Sequence, residues 1–129
     1  MQRHMELIRK LLLYVEAVPE HRTALKSHEI EIEGFTGEQI DYHLMQMEMD
    51  DLIVARQNSD MHAPRKGTWL ISYLAPQGHD FLDAARNPTI WSKMQERVAA
   101  FGGNVALSVL VELGTALTKE ALGLGKPSP

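Results

Sequence analysis

"LIVARQNSDMHAPRKGTWLISYL", residues 52–74, decides the fold. Two runs, LIVARQ and TWLISYL, are rich in Ile, Val, Thr, Trp and Tyr, and a polar segment carrying Pro64 and Gly67 separates them. Such side chains suit a pleated, half-buried surface and Pro and Gly punctuate turns, so the stretch reads as an antiparallel hairpin with a long tip. Just upstream, Thr36 stands three residues before Gln39, the pattern of a capping box, and Ile40, Leu44 and Met47 mark the buried stripe of a helix running to about Asp50. Before that helix, KSHEIEIEGF alternates Ile30 and Ile32 with Glu29, Glu31 and Glu33. A period of two predicts a short strand near a sheet edge. The chain opens with Met5, Ile8, Leu11, Leu12 and Val15 on one helical face and Arg3, Glu6, Arg9 and Lys10 on the other, until Pro19 ends the helix.

The order helix, strand, helix, hairpin is the winged-helix arrangement, in which the helix before the hairpin enters a groove and the hairpin tip is the wing. Between Val18 and Thr36 there is room for the short strand but not for a full second helix, which is expected to shrink to a turn. Downstream lies PQGHDFLDAARNPTIW, residues 76–91. Ala75 and Pro76 open a helix with Phe81, Leu82 and Ala85 on its apolar side and Asp80 and Asp83 near its positive end. Asn87 and Pro88 break it and start another, carrying Ile90, Trp91, Met94, Val98 and Phe101 until Gly102 and Gly103. Asn104 is expected to cap a last helix reaching about Leu122. The expected fold class is mainly α with a small antiparallel β-sheet (α+β): a winged-helix-like domain over 1–85, a C-terminal helical pair over 86–123 and a disordered tail over 124–129.

YHLMQMEMDDLI at 42–53, GHDFLDAARNPTIW at 78–91 and the closing GGNVALSVLVELGTALTKEALGL resemble a small uncharacterised domain-of-unknown-function family of bacteria, phages and prophages. The likeness covers nearly the whole chain. It implies a winged-helix-like fold and supplies no catalytic residue. Where such chains read EAGLI before the hairpin, this one reads MDDLI, with Asp51 at the glycine position.

At 129 residues the chain is long enough for one self-sufficient core, and its 44% hydrophobic and 23% charged composition is that of a globular protein. Cysteine is absent, which removes disulfides, thiolate nucleophiles and Cys-held metals and fits a reducing cytoplasm. The charges in MQRHMELIRKLLLYVEAV make it neither a signal peptide nor a spanning segment. GxGxxG, GxxxxGK[ST] and HExxH do not occur. Of the six histidines, only His79 has a carboxylate, Asp83, four residues on along an expected helix. Two ligands fall short of a zinc site, so the pair reads as the structural start of a helix. Trp91, in step with Met94 and Val98, reads as core. No catalytic residue, metal or cofactor is expected.

Charge decides between partners. From Ser27 to Ala55 there is no Lys or Arg, whereas Glu29, Glu31, Glu33, Glu38, Asp41, Glu48, Asp50 and Asp51 supply eight of the chain's 17 acids. A groove-reading helix must approach a phosphate backbone, and this one would repel it. The net charge of −4 agrees. The first expectation is therefore a protein partner, host-derived in one reading, bound through Glu38, Asp41 and Glu48. The second is DNA, contacted through Arg56, Arg65 and Lys66 around the wing. The last helix, apolar nearly all round, is read either as monomer core or as a homodimer interface anchored by Leu110, Leu113 and Leu117. Glu112, Lys119 and Glu120 interrupt it, which argues against a membrane span.

Overall fold

The computed structural model describes residues 1–19, 24–58 and 68–124. In chain order these form α1 (Met5–Glu16), β1 (Leu25–Lys26), a 3-10 turn (Ser27–Glu29), α2 (Gly37–Met49), β2 (Ile53–Gln57), β3 (Trp69–Leu74), α3 (Pro76–Ala85), α4 (Pro88–Phe101) and α5 (Leu107–Ala121). The protein is thus mainly helical with a three-stranded antiparallel sheet, ordered β1-β3-β2. Contacts divide the chain into two compact units, Met1–Gly78 and His79–Pro129, a division that falls within α3. The boundary expected at 85/86 lies at the C-terminal end of that helix.

In the first unit, α1 buries Leu7, Ile8, Leu11, Leu12 and Val15. Leu7 takes the place expected for Met5, which is half-buried. Each such side chain withdrawn from water contributes about 1.5–3 kcal/mol, so this stripe is a main source of cohesion. The capping box of α2 is formed as the spacing demands: the Thr36 hydroxyl accepts from the Gln39 N–H at 3.2 Å, and the Gln39 side chain accepts from the Thr36 N–H at 2.8 Å. Ile40, Leu44 and Met47 are buried as expected.

The first strand is a correction. It lies at Leu25–Lys26, opposite Ile71 and Leu70, and not over Glu29–Glu33. Ile30 is buried and Ile32 half-buried while Glu31 and Glu33 are exposed, so the alternation holds without a strand partner. Period-two patterning reports which way side chains face, and an extended segment packed on one side gives the same signal as a strand. Between β1 and α2 stands the 3-10 turn Ser27–Glu29, where the buried Ser27 hydroxyl accepts the Trp69 N–H at 2.7 Å and ties the turn to β3.

The hairpin forms as expected, with an irregularity. Val54 pairs with Tyr73 but Ala55 pairs with Ile71, leaving Ser72 without an opposite residue. This bulge shifts the side-chain phase, so that Ile71 and Leu74, three apart, are both buried while Ser72 and Tyr73 are exposed. The pair nearest the tip is closed by Asn58 N–H donating to the Thr68 carbonyl at 2.8 Å. Residues 59–67, including most of the expected tip, lie outside the described residues, as do 125–129 of the expected tail.

In the second unit, Asn87 caps α4 through its side-chain oxygen, which accepts from the N–H groups of Thr89 and Ile90, with Pro88 in the first turn. Ile90, Trp91, Met94 and Val98 are buried, and the Trp91 ring packs edge-on against Phe81. Trp91 is core, as read. The cap of α5 is a second correction: it is Ala106, not Asn104. Gly102 and Gly103 make the turn with positive φ, and Asn104, Val105 and Ala106 form an irregular link before the helix begins. Gly114 lets α5 lie against the Ala84 methyl and the Met94 thioether.

Candidate interaction surface

The acidic stretch presents its charge differently from the expected set. Glu38 is exposed in the first turn of α2, but Glu48 is half-buried and Asp41 only 7% exposed. Asp41 therefore belongs to the packed side of the helix rather than to a docking face. The exposed carboxylates of this stretch are Glu29, Glu31, Glu33 and Glu38, along the segment that enters the helix and its first turn, and Asp51 past its C-terminal end. The sequence count was sound; the face was not legible because part of the acid sits in an extended segment that helical spacing does not describe.

Behind that surface lies a polar clasp between α1 and α2. His43 is fully buried on the apolar side of α2. Its Nδ1 lies 2.7 Å from the Gln39 carbonyl, and its Nε2 lies 2.8 Å from the His4 backbone nitrogen. A carbonyl accepts and an amide donates, so Nδ1 carries the proton, Nε2 is bare and the ring is neutral. Burial lowers its pKa below 6.5, the bond to the Gln39 carbonyl opposes this, and the nearby His4 and Arg3 push it further down. The His4 ring stacks on His43 and meets Phe35 edge-on. Sequence reading passed over His43, although its position next to Leu44 and three residues after Ile40 placed a histidine on the buried stripe.

The basic groups of α1 and of the residues before it are engaged within the protein. Arg3 Nε donates to the Gln46 side-chain oxygen at 3.0 Å, and Gln46 in turn donates to the Tyr42 hydroxyl. Arg9 pairs with Glu6 at 3.1 Å, and the Lys10 ammonium lies 6.0 Å over the Phe35 ring. Of the expected wing cations, Arg56 is exposed on β2, whereas Arg65 and Lys66 lie outside the described residues. His79 and Asp83 are both exposed, and among the described residues no group of three His, Cys, Asp or Glu side chains could hold a metal ion. No helix among them is long and apolar enough to cross a membrane.

On α5, Leu110 and Leu117 point into the second unit and are buried, and Leu113 is half-buried. Two of the three expected dimer anchors are thus core residues. The apolar side chains left in solvent are others: Phe101 at 77% and Val109 at 46% exposure. With Val98, Val105, Ala106, Leu113 and Arg97 they line an open groove of about 330 Å³ where α4 turns into α5. Phe101 continues the spacing of Val98 and so reads as core, but it closes the last turn of α4, where the helix stops and the ring projects outward.

The geometry defines a small α+β protein in which helices outweigh a three-stranded antiparallel sheet. Residues 2–104 match the family described as "Hypothetical protein (DUF2513)", and the chain belongs to that family, an uncharacterised one as the sequence resemblance implied. It is also similar to an uncharacterised protein of Haemophilus influenzae, 27% identical over 125 residues that cover 95% of this chain and 99% of the relative. No solved structure matches.

Proposed function

We propose that this is a non-enzymatic winged-helix interaction module, cytoplasmic and phage- or prophage-associated, whose acidic face binds a basic surface of a partner protein. One observation carries the reading: Glu29, Glu31, Glu33 and Glu38 are exposed on a stretch that holds no Lys or Arg from Ser27 to Ala55. The winged-helix assignment is supported by the element order and by β3 lying between β1 and β2, which places α2 just before the hairpin. In a DNA-reading module that helix would meet phosphates; here its approach is edged with carboxylates. Exposed complementary charge acts chiefly on the rate of encounter, so a basic protein face is the partner this surface selects.

The test is capture from a host lysate with the protein and with a Glu31→Lys/Glu33→Lys/Glu38→Lys variant. The expected result is a partner retained by the first and lost by the second, with slowed association as the cause. A second reading, DNA contacted through the hairpin, draws on exposed Arg56 in β2 and on Arg65 and Lys66 beyond it. Tight binding of a duplex at physiological salt, lost on changing Arg65 and Lys66 to Ala, would replace the first reading with this one.

A further inference from the structure

The groove at the turn from α4 to α5 asks for an occupant. Its lining is apolar apart from Arg97, so whatever fills it is apolar with a polar edge. The protein supplies such a group itself: Phe101, the most exposed of the large hydrophobic side chains among the described residues, stands on the rim of the same groove. A patch that carries both a projecting ring and the hollow to receive one is self-complementary. That is the requirement for a two-fold interface, in which each copy offers the same surface.

Charge permits this approach. The chain as a whole carries −4, but His79 to Leu124 hold five carboxylates and four cations, so two copies meeting through this unit face little mutual repulsion. The edges also match. Arg97 lines the groove from α4, and the exposed Glu112 stands on α5 outside the groove's lining, between the groove-lining Val109 and Leu113 in sequence.

We propose that a second copy of this chain docks in this groove, with Phe101 of each copy seated against Val105, Val109 and Leu113 of the other and Arg97 paired with Glu112 at the rim. An apolar centre with a charged edge is the usual anatomy of such a contact, and a central aromatic is its usual anchor. The interface is independent of what the acidic face binds.

The test is light scattering on the full chain across a dilution series from high to low micromolar. The unmodified protein is expected to show the dimer mass at the upper end. Phe101→Asp is expected to raise the dimer dissociation constant at least about 30-fold, the loss typical of a central anchor. Because Phe101 is exposed within the chain, this variant should keep the same far-ultraviolet circular dichroism, which separates lost assembly from lost folding. Arg97→Glu and Glu112→Arg should each weaken the dimer, and the double variant should recover it. A monomer mass throughout the range, or a dimer unmoved by Phe101→Asp, would overturn the proposal and leave the groove to a different apolar occupant.

Discussion

At the scale of single residues, His43 makes the fold sensitive to acid. Its folded pKa is lowered by burial, whereas in the unfolded chain it titrates near the ordinary value of about 6.5. The stability held by the neutral ring is therefore fully present above pH of about 6.5, and it is lost as pH falls from there through the folded value, because the unfolded state binds the proton first. Thermal unfolding followed across pH 5–8 should show the midpoint level at the alkaline end and falling below about 6.5. Subtracting the same series for His43→Gln, which keeps an acceptor and does not titrate, isolates this residue from the other histidines; identical slopes in both would exclude it. Asp51 sets a second residue-scale expectation. Among the described residues it is the one non-glycine with positive φ, at 60°. The left-handed region costs most residues about 1–2 kcal/mol and Asp somewhat less, while glycine gives back part of the gain through its freer unfolded chain. Asp51→Gly should raise stability by up to about 1 kcal/mol in denaturant unfolding, and a loss of stability would mean that the Asp51 side chain holds the turn.

At the scale of elements, α3 begins against the strand entry. The Leu52 carbonyl accepts the Ala75 N–H at 3.0 Å, and a Cβ placed on Gly78 would overlap that same carbonyl oxygen. The clash is with backbone, which cannot swing aside, so Gly78→Ala should destabilise by about 1–3 kcal/mol, the usual cost of forcing extra volume into a packed site. A chemical-denaturation midpoint close to that of the unmodified protein would contradict this. The helices were the most legible elements because their signals are local: Thr36 with Gln39, Asn87 with Pro88, and stripes every three or four residues each state a boundary or a face. What could not be read depends on distant partners. Leu25–Lys26 become a strand only because β3 offers an edge there, and nothing within LK itself says so. Likewise Leu110 and Phe101 are equally apolar in sequence, and only the packing of α4 with α5 turns one inward and the other out. The acidic count was legible, but which acids face solvent was not, since Asp41 and Glu38 lie three residues apart on one helix with opposite fates.

At the scale of the whole molecule, charge and apolar surface are carried by different stretches of the chain. A cluster of exposed acid runs from Glu29 to Glu38, and the exposed apolar groove from Arg97 to Leu113. If both proposals hold, the two binding events are separable: Phe101→Asp should leave partner capture intact, and the Glu31, Glu33 and Glu38 reversals should leave the dimer mass unchanged. Loss of both properties in either variant, by pull-down and light scattering together, would show a single shared surface instead. The bulge at Ser72 carries a consequence of another kind. Ordinary hairpins take their alignment from the connecting turn, so lengthening the turn invites the strands to slide. Here Ile71 and Leu74 can both be buried only with the extra residue between them, and a slide by one or two positions would expose one of them. The packing of these two side chains therefore holds β2 and β3 in alignment by itself.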